Sequence, residues 1–225
     1  WFPLPGKHLP ESTSTEITEN GIRYLVDFEN GQKTGFFLDQ RYNRAAAARL
    51  AAGKTVLDCF THTGSFGLNC AKAGAKHVHS VDISETALAC ARENCARNGL
   101  SHLVEYEAAN VFDLLPNLPH GAYDYIILDP PAFTKSGKTV NDAERGYKEI
   151  NFRAMKALPR GGYLATCSCS HFMTDQRFRK MLQSAASDAG VELRLIEARQ
   201  QGPDHPVLWN VPETDYLKFY LLQIV

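Results

Sequence analysis

Nowhere do the 225 residues carry the run of about 18 apolar residues that a membrane-spanning helix needs. No basic, then apolar, then small-residue order opens the chain as a signal peptide would, so a cytoplasmic setting is expected. A Cys-x-x-Cys pair is also missing, which excludes the common zinc frameworks and leaves no metal expected. Charge of one sign is not in excess: 24 Lys and Arg stand against 25 Asp and Glu, a net charge of −1. A polyanionic partner would therefore have to be met by a local patch. Internal repeats and low-complexity tracts are absent. An initiator Met is absent too; the chain begins at Trp1, from which a truncated or processed chain with something upstream is expected.

What is present describes an ordinary globular chain, 44% hydrophobic and 22% charged, long enough for one large domain with a small appendage. The six cysteines, Cys59, Cys70, Cys90, Cys95, Cys167 and Cys169, lie in apolar segments at irregular spacings. A chain of this size needs no disulfide staples, and reduced thiols are the expected state.

Residues 1 to about 15 are rich in Pro, Ser and Thr and read as an irregular lead-in. Ile22, Tyr24, Val26 and Phe28 then alternate with Arg23, Leu25 and Asp27 between Asn20-Gly21 and Asn30-Gly31, a hairpin signature ending near Phe37. The pattern predicts a lead-in and β unit over 1–38 and a main domain over 39–225. A helix is expected over 39–50, followed by strands alternating with helices: "KTVLDCF", "HVHSVDIS", "LVEYEA", "YDYIILD" and "GYLATCS" as strands, with "DLLPNL", "YKEINFRAMKAL" and "DQRFRKMLQSAASDAG" among the helices. Ser84 is the expected N-cap of "SETALACARENCARNGL", and Gly99 its stop. "VELRLIEARQ" and "DYLKFYLLQIV" add two strands that can close as an antiparallel pair. The fold class predicted is α/β, a doubly wound, mostly parallel seven-stranded Rossmann-like sheet with a small N-terminal β unit.

In such sheets ligands sit beyond the carboxyl ends of the strands, beside the first strand. That places Asp58-Cys59-Phe60-Thr61-His62-Thr63-Gly64 at the ligand, and Asp82 at the end of the next strand, where a carboxylate holds ribose hydroxyls. The turn lacks the G-x-G-x-x-G of a dinucleotide site. An acid at Asp58 would repel a pyrophosphate but suits the cationic sulfonium and ammonium end of S-adenosylmethionine. The plainer alternative is that Asp58 only caps its turn.

The quoted segments "VLDCFTHTGSFGLNCAKAGA" and "VHSVDIS" resemble the first two motifs of class I S-adenosylmethionine-dependent methyltransferases. Within that class, "NGQKTGFFLDQRYNR", "ILDPPAF", "RGYKEINFRAM", "TCSCS" and "DHPVLWNVPETDYLKFYLLQIV" resemble the RlmI-like ribosomal RNA 5-methylcytosine methyltransferases, from about Ile17 to the C-terminus. The resemblance implies S-adenosyl-L-methionine as cofactor, large-subunit (23S) ribosomal RNA as partner, and 5-methylcytosine as product. It implies that Asp58, Phe60 and Gly64 line the cofactor, that Asp82 holds its ribose, and that Asn110 lies near the adenine, where the family usually has an acid. The segment 33–41 is characteristic of the family without revealing which residue touches the ligand.

"YIILDPPAF" delivers Asp129 to the same sheet edge, where two prolines end the ladder and stiffen the turn. As the third acid at a strand end, Asp129 is a candidate for both the cofactor site and catalysis. In "TCSCS" a disulfide between Cys167 and Cys169 would need an awkward short ring. Core filling is the serious alternative for any thiol and is accepted for Cys59, Cys70, Cys90 and Cys95. Cys169 falls where the strand runs out, near Asp58 and Asp129, which is a nucleophile's position. Cytosine C5 is too weak a nucleophile to accept a methyl group unaided; thiolate addition at C6 makes it enamine-like. The resemblance selects Cys169 over Cys167 for that addition, with Asp129 protonating or hydrogen-bonding N3 of an unpaired or flipped base.

A basic bias runs from Phe133 to Arg160 through Lys135, Lys138, Arg145, Lys148, Arg153, Lys156 and Arg160, with Phe133 available to stack on a base. A solvated helix face explains part of that run equally well. The loop 134–141 is expected to order on substrate. An exocyclic-amine or ring-nitrogen RNA methyltransferase and a binding module built on the cofactor fold remain alternative functions.

Overall fold

Asn20 and Gly21 both hold positive φ, 51° and 74°. Such a pair makes the tight turn whose twist matches flanking strands. It joins β1 (Ser14–Glu19) to β2 (Ile22–Asp27) in an antiparallel hairpin. The structure is a computed structural model that describes residues 5, 6, 8, 12–29, 31, 35–134 and 136–225. The second hairpin signal at Asn30 and most of the segment 30–34 thus lie outside the described residues, as does Lys135. Ile22, Tyr24 and Val26 point into the core as the alternation predicts. The outer edge of β2 is satisfied by side chains: Leu25 N donates to Asn94 Oδ1 at 2.8 Å and Arg23 N to Asn98 Oδ1 at 2.9 Å. Two helix asparagines thereby blunt an otherwise open strand edge.

A 3-10 turn (Leu38–Gln40) leads into α1 (Arg41–Ala48), whose buried Ala46, Ala47 and Ala48 allow close approach to its neighbours. Arg44, on α1, is fully buried and grips Glu19 through Nε–Oε1 at 2.6 Å and an Nη2–Oε2 contact at 2.7 Å, with Phe37 O a third acceptor at 2.9 Å. This clamp ties the hairpin to the main domain.

The chain then alternates β3 (Thr55–Cys59), α2 (Ser65–Lys72), β4 (His77–Asp82), α3 (Glu85–Arg97), β5 (Val104–Ala108), α4 (Val111–Leu114), β6 (Tyr125–Leu128), α5 (Val140–Ala157), β7 (Tyr163–Ser168), α6 (Asp175–Ala189), β8 (Leu193–Arg199) and β9 (Lys218–Ile224). The strands lie in the order β5-β4-β3-β6-β7-β9-β8; β9 runs antiparallel to both its neighbours and the other pairings are parallel. The order reverses between β3 and β6, which opens a crevice at their carboxyl ends. Successive strand residues feed two cores. Leu57, Cys59, Ile126 and Leu128 pack with α5 and α6, while Val56, Tyr125 and Ile127 pack with α1, α2 and the hairpin. Each fully buried Leu or Ile in these layers contributes roughly 1.5–3 kcal/mol.

Two elements differ from the sequence expectation. Helix α5 begins at Val140, well before the "YKEINFRAMKAL" segment, because Val140, Ala143, Tyr147, Ile150 and Ala154 form one buried stripe across Gly146. Gly146 is no helix breaker: a Cβ there would come 3.2 Å from the Phe133 ring, so the glycine lets the ring pass. The "DLLPNL" helix is a single α-turn passing into a 3-10 turn at Leu115–Asn117, where Pro116 denies a backbone donor. Ser84 caps α3 as expected, accepting from Ala87 N at 3.2 Å.

Candidate active site

Asp58, the last residue but one of β3, is almost fully buried. Its Oδ2 accepts from Thr61 Oγ1 at 2.5 Å and Gly67 N at 2.8 Å, so it does cap its turn. Its Oδ1 is buried without a partner. Burial first, and then the carboxylates of Asp129 and Asp82, push its pKa up to about 7 against the two hydrogen bonds. A cation beside Oδ1 would remove that penalty. The turn is wound tightly: Phe60 and His62 hold φ of 62° and 51°, a left-handed conformation that non-glycine residues adopt rarely and mostly at functional sites. Gly67 approaches so closely that a Cβ would lie 2.6 Å from Ser80 Oγ and 3.0 Å from Asp58 Oδ2. Gly64, at φ 84°, begins α2, and a Cβ there would press on Tyr106 and Ala91.

Asp82 ends β4 partly exposed, and its two oxygens accept from His62 N at 2.8 Å and Ser84 N at 3.0 Å. Each oxygen keeps a second lone pair for a ligand hydroxyl. Asn110 caps α4: its Oδ1 accepts from Phe112 N at 3.1 Å and its Nδ2 donates to Asp113 at 3.0 Å. Between them the apolar Ile83 is 76% exposed, with Phe112 also at the surface. A buried orphan oxygen for a cation, a carboxylate for hydroxyls and exposed apolar surface for a ring fit S-adenosylmethionine.

Asp129 follows β6 and is partly exposed. Its Oδ1 accepts from Gln40 Nε2 at 2.8 Å, and Gln40 Oε1 in turn accepts from Asn43 Nδ2 at 2.7 Å. Desolvation and the nearby Asp39 carboxylate push Asp129 up to about 6 against Arg44, Cys167 and Gln40, so near neutrality it carries a proton part of the time. Cys167 lies wholly inside the protein, hydrogen-bonded to Asp129 and Gln40, with burial raising its pKa well above that of an ordinary thiol. Cys169 is one residue beyond the end of β7 and partly exposed, its Sγ 4.0 Å from Pro130 O. Two thiols two residues apart are thus sorted into one sealed and one accessible. A cavity of about 320 Å³ is lined by His171, Thr174, Asp175, Trp209, Asp215 and Lys218.

The structure therefore brings Asp58, Phe60, Gly64, Asp82, Asp129 and Cys169 to one rim, with Asn110 at its outer end. Gln40, Asn43 and Lys218 were not singled out in the sequence, which offers no local signal for them beyond their place in characteristic segments. Several basic residues of 133–160 are matched by carboxylates: Arg145 with Asp142, Lys148 with Asp188 and Arg153 with Glu149. Phe133 packs on Tyr147 and Phe112, at 4.5 and 5.7 Å between ring centres. The described part of 134–141 holds a 3-10 turn at Gly137–Thr139 and the start of α5. Among the described residues no cluster of His, Cys, Asp and Glu could hold a metal, and no helix is long and apolar enough to cross a membrane.

A family model described as S-adenosylmethionine-dependent methyltransferase matches residues 6–220. Over 206 residues the chain is 50% identical to ribosomal RNA large subunit methyltransferase I of Shewanella denitrificans, covering 90% of this chain and 52% of the relative. The chain spans about half the length of the curated relatives it matches. A solved structure from Streptococcus mutans, described as a SAM-dependent methyltransferase, superposes with a TM-score of 0.83 at 28% identity, covering 98% of this chain and 57% of that one. A further solved structure, complexed with SAH, gives the same TM-score of 0.83 at 28% identity, over 98% of this chain and 58% of that one.

Proposed function

The chain belongs to the S-adenosylmethionine-dependent methyltransferase family, and on that premise we propose that it forms 5-methylcytosine in large-subunit ribosomal RNA by thiolate catalysis in the cytoplasm. One observation carries this reading: an accessible thiol, Cys169, stands at the same sheet edge as Asp129 and the Asp58–Asp82 crevice. The name of the Shewanella relative supports RNA as the substrate. Residues 39–225 hold the chemistry, and the hairpin within 1–38 braces α1 and α3.

In this reading Asp58 Oδ1 faces the cationic end of S-adenosylmethionine, Asp82 holds the ribose, Phe60 and Gly64 shape the turn, and Ile83 covers the adenine ring. Asn110 reaches the adenine amino group only through the remaining lone pair of its capping oxygen. The cofactor, when bound, supplies an electrophilic methyl group. The Cys169 thiolate adds to C6 of the cytosine, and Asp129 donates a hydrogen bond or a proton to N3, which takes up the displaced electron pair. C5, now enamine-like, gains the methyl group; a base then removes the C5 proton, and the returning electron pair expels the thiolate.

Large-subunit ribosomal RNA carrying 5-fluorocytidine tests this reading. Fluorine at C5 cannot leave as a proton, so a covalent RNA–protein complex should accumulate with the unaltered protein and with Cys167→Ala. Cys169→Ala should form none and yield no 5-methylcytosine, while still binding the cofactor. Product formation by Cys169→Ala, or a methyl group found on a ring nitrogen or exocyclic amine, would reject the assignment.

A further inference from the structure

Lys218 opens β9 and is buried, at 4% exposure. Its ammonium donates to two backbone carbonyls, Ser170 O at 2.6 Å and Tyr216 O at 2.7 Å. Among the described residues no carboxylate forms an ion pair with it. Burial of an ammonium is unfavourable unless negative charge faces it, and two carbonyls leave one of its three donors uncommitted. The placement is specific. In the β7–β9 ladder Lys218 lies opposite Ser168, the residue before Cys169, and its ammonium binds the carbonyl of the residue after Cys169. The lysine brackets the thiol's backbone on both sides.

Resting on the reading of Cys169 as the nucleophile, we propose that Lys218 is the positioning residue for that thiol, fixing its segment through the Ser170 carbonyl and favouring the thiolate with its buried positive charge. The thiol proton leaves to solvent, and Lys218 keeps its own. Several charged groups face the ammonium. Asp175, on α6, is already held by Arg179 at 2.8 Å and by the Tyr220 hydroxyl. Asp215 and Tyr216 come from the loop before β9, with Asp215 accepting from Gln200 at 3.4 Å. His171 and Cys169 come from the segment after β7. Burial brings Lys218 down to about 8, opposed by Asp215, Cys169 and Asp175 in that order. It therefore remains mostly protonated at neutral pH, where the thiolate is needed.

The test measures alkylation of Cys169 by iodoacetamide against pH, read by peptide mass spectrometry without RNA, with the partly exposed Cys90 as internal reference. In the unaltered protein the midpoint should fall below the ordinary thiol value of about 8.5. Lys218→Met should raise it by about one unit, slowing alkylation at pH 7 about tenfold, and Lys218→Arg should keep it low. Cys90 should not change in either variant. A folded Lys218→Met protein with an unmoved midpoint overturns the proposal. Should that variant fail to fold, the unaltered protein still decides, since a Cys169 midpoint at or above about 8.5 overturns it alone. The readout needs no substrate, so its failure leaves covalent trapping on RNA intact, and failure to trap leaves the thiol titration intact.

Discussion

The two halves of the sheet rim are built by different means. At β3 and β4 the candidate cofactor carboxylates are held from within 20 residues, mostly by backbone amides: Asp58 by Gly67 N and the Thr61 hydroxyl, Asp82 by His62 N and Ser84 N. At β6 and β7 the candidate catalytic groups are held by side chains from far along the chain: Asp129 by Gln40, and the Cys169 segment by Lys218. The first arrangement presets a shape for a ligand that is the same at every turnover. The second leaves proton positions adjustable, as acid–base chemistry on a changing substrate demands.

The largest effect that would sharpen this contrast is expected at Asp129. Asp129→Asn keeps the Gln40 contact and a hydrogen-bond donor but removes the transferable proton, so kcat should fall by about 10²- to 10⁴-fold while calorimetric cofactor affinity stays unchanged. An equal loss in both would erase the distinction between the halves. Next comes the clamp behind the remote network. Arg44→Met leaves Glu19 buried and unpaired, and should destabilise the protein by about 3–5 kcal/mol in urea unfolding. Because Gln40 and Asn43 precede Arg44 on the same stretch, the variant should also weaken catalysis more than cofactor binding.

The smallest effect is in pH dependence. Asp58 and Asp129 are raised from 3.8 to about 7 and about 6, chiefly by burial. Carboxyls that hold protons more tightly when folded contribute stability that is present below pH 4 and lost as the pH rises through their folded values. Urea midpoints should therefore decline between about pH 4 and 7. Asp58→Asn should flatten more of that decline than Asp129→Asn, because its shift is larger. The reverse order would mean that the backbone-held half is the more strained only in its dihedral angles.

The same contrast explains what could be read from the residues alone. Asp58, Asp82 and Ser84 were legible because a strand end, a glycine-bearing turn and a cap are local patterns whose consequences extend a few residues. The seven strands were legible from apolar runs between turn signals. Gln40 and Lys218 were not, because a polar residue in a helix-like or strand-like segment looks solvated until the partner it meets, 89 residues from Gln40 or 48 from Lys218, is known. The reason for a glycine at position 146 was hidden in the same way: it makes room for the Phe133 ring, a tertiary neighbour that no local pattern reveals.

The position of β9 carries a consequence for how the rim is assembled. It is the last strand in chain order, yet it lies between β7 and β8, and it alone enters the sheet at the edge that the parallel strands leave. On a growing polypeptide Asp58 and Asp82 emerge well before Lys218, so the segment around Cys169 gains its buried ammonium only after both carboxylates have been made.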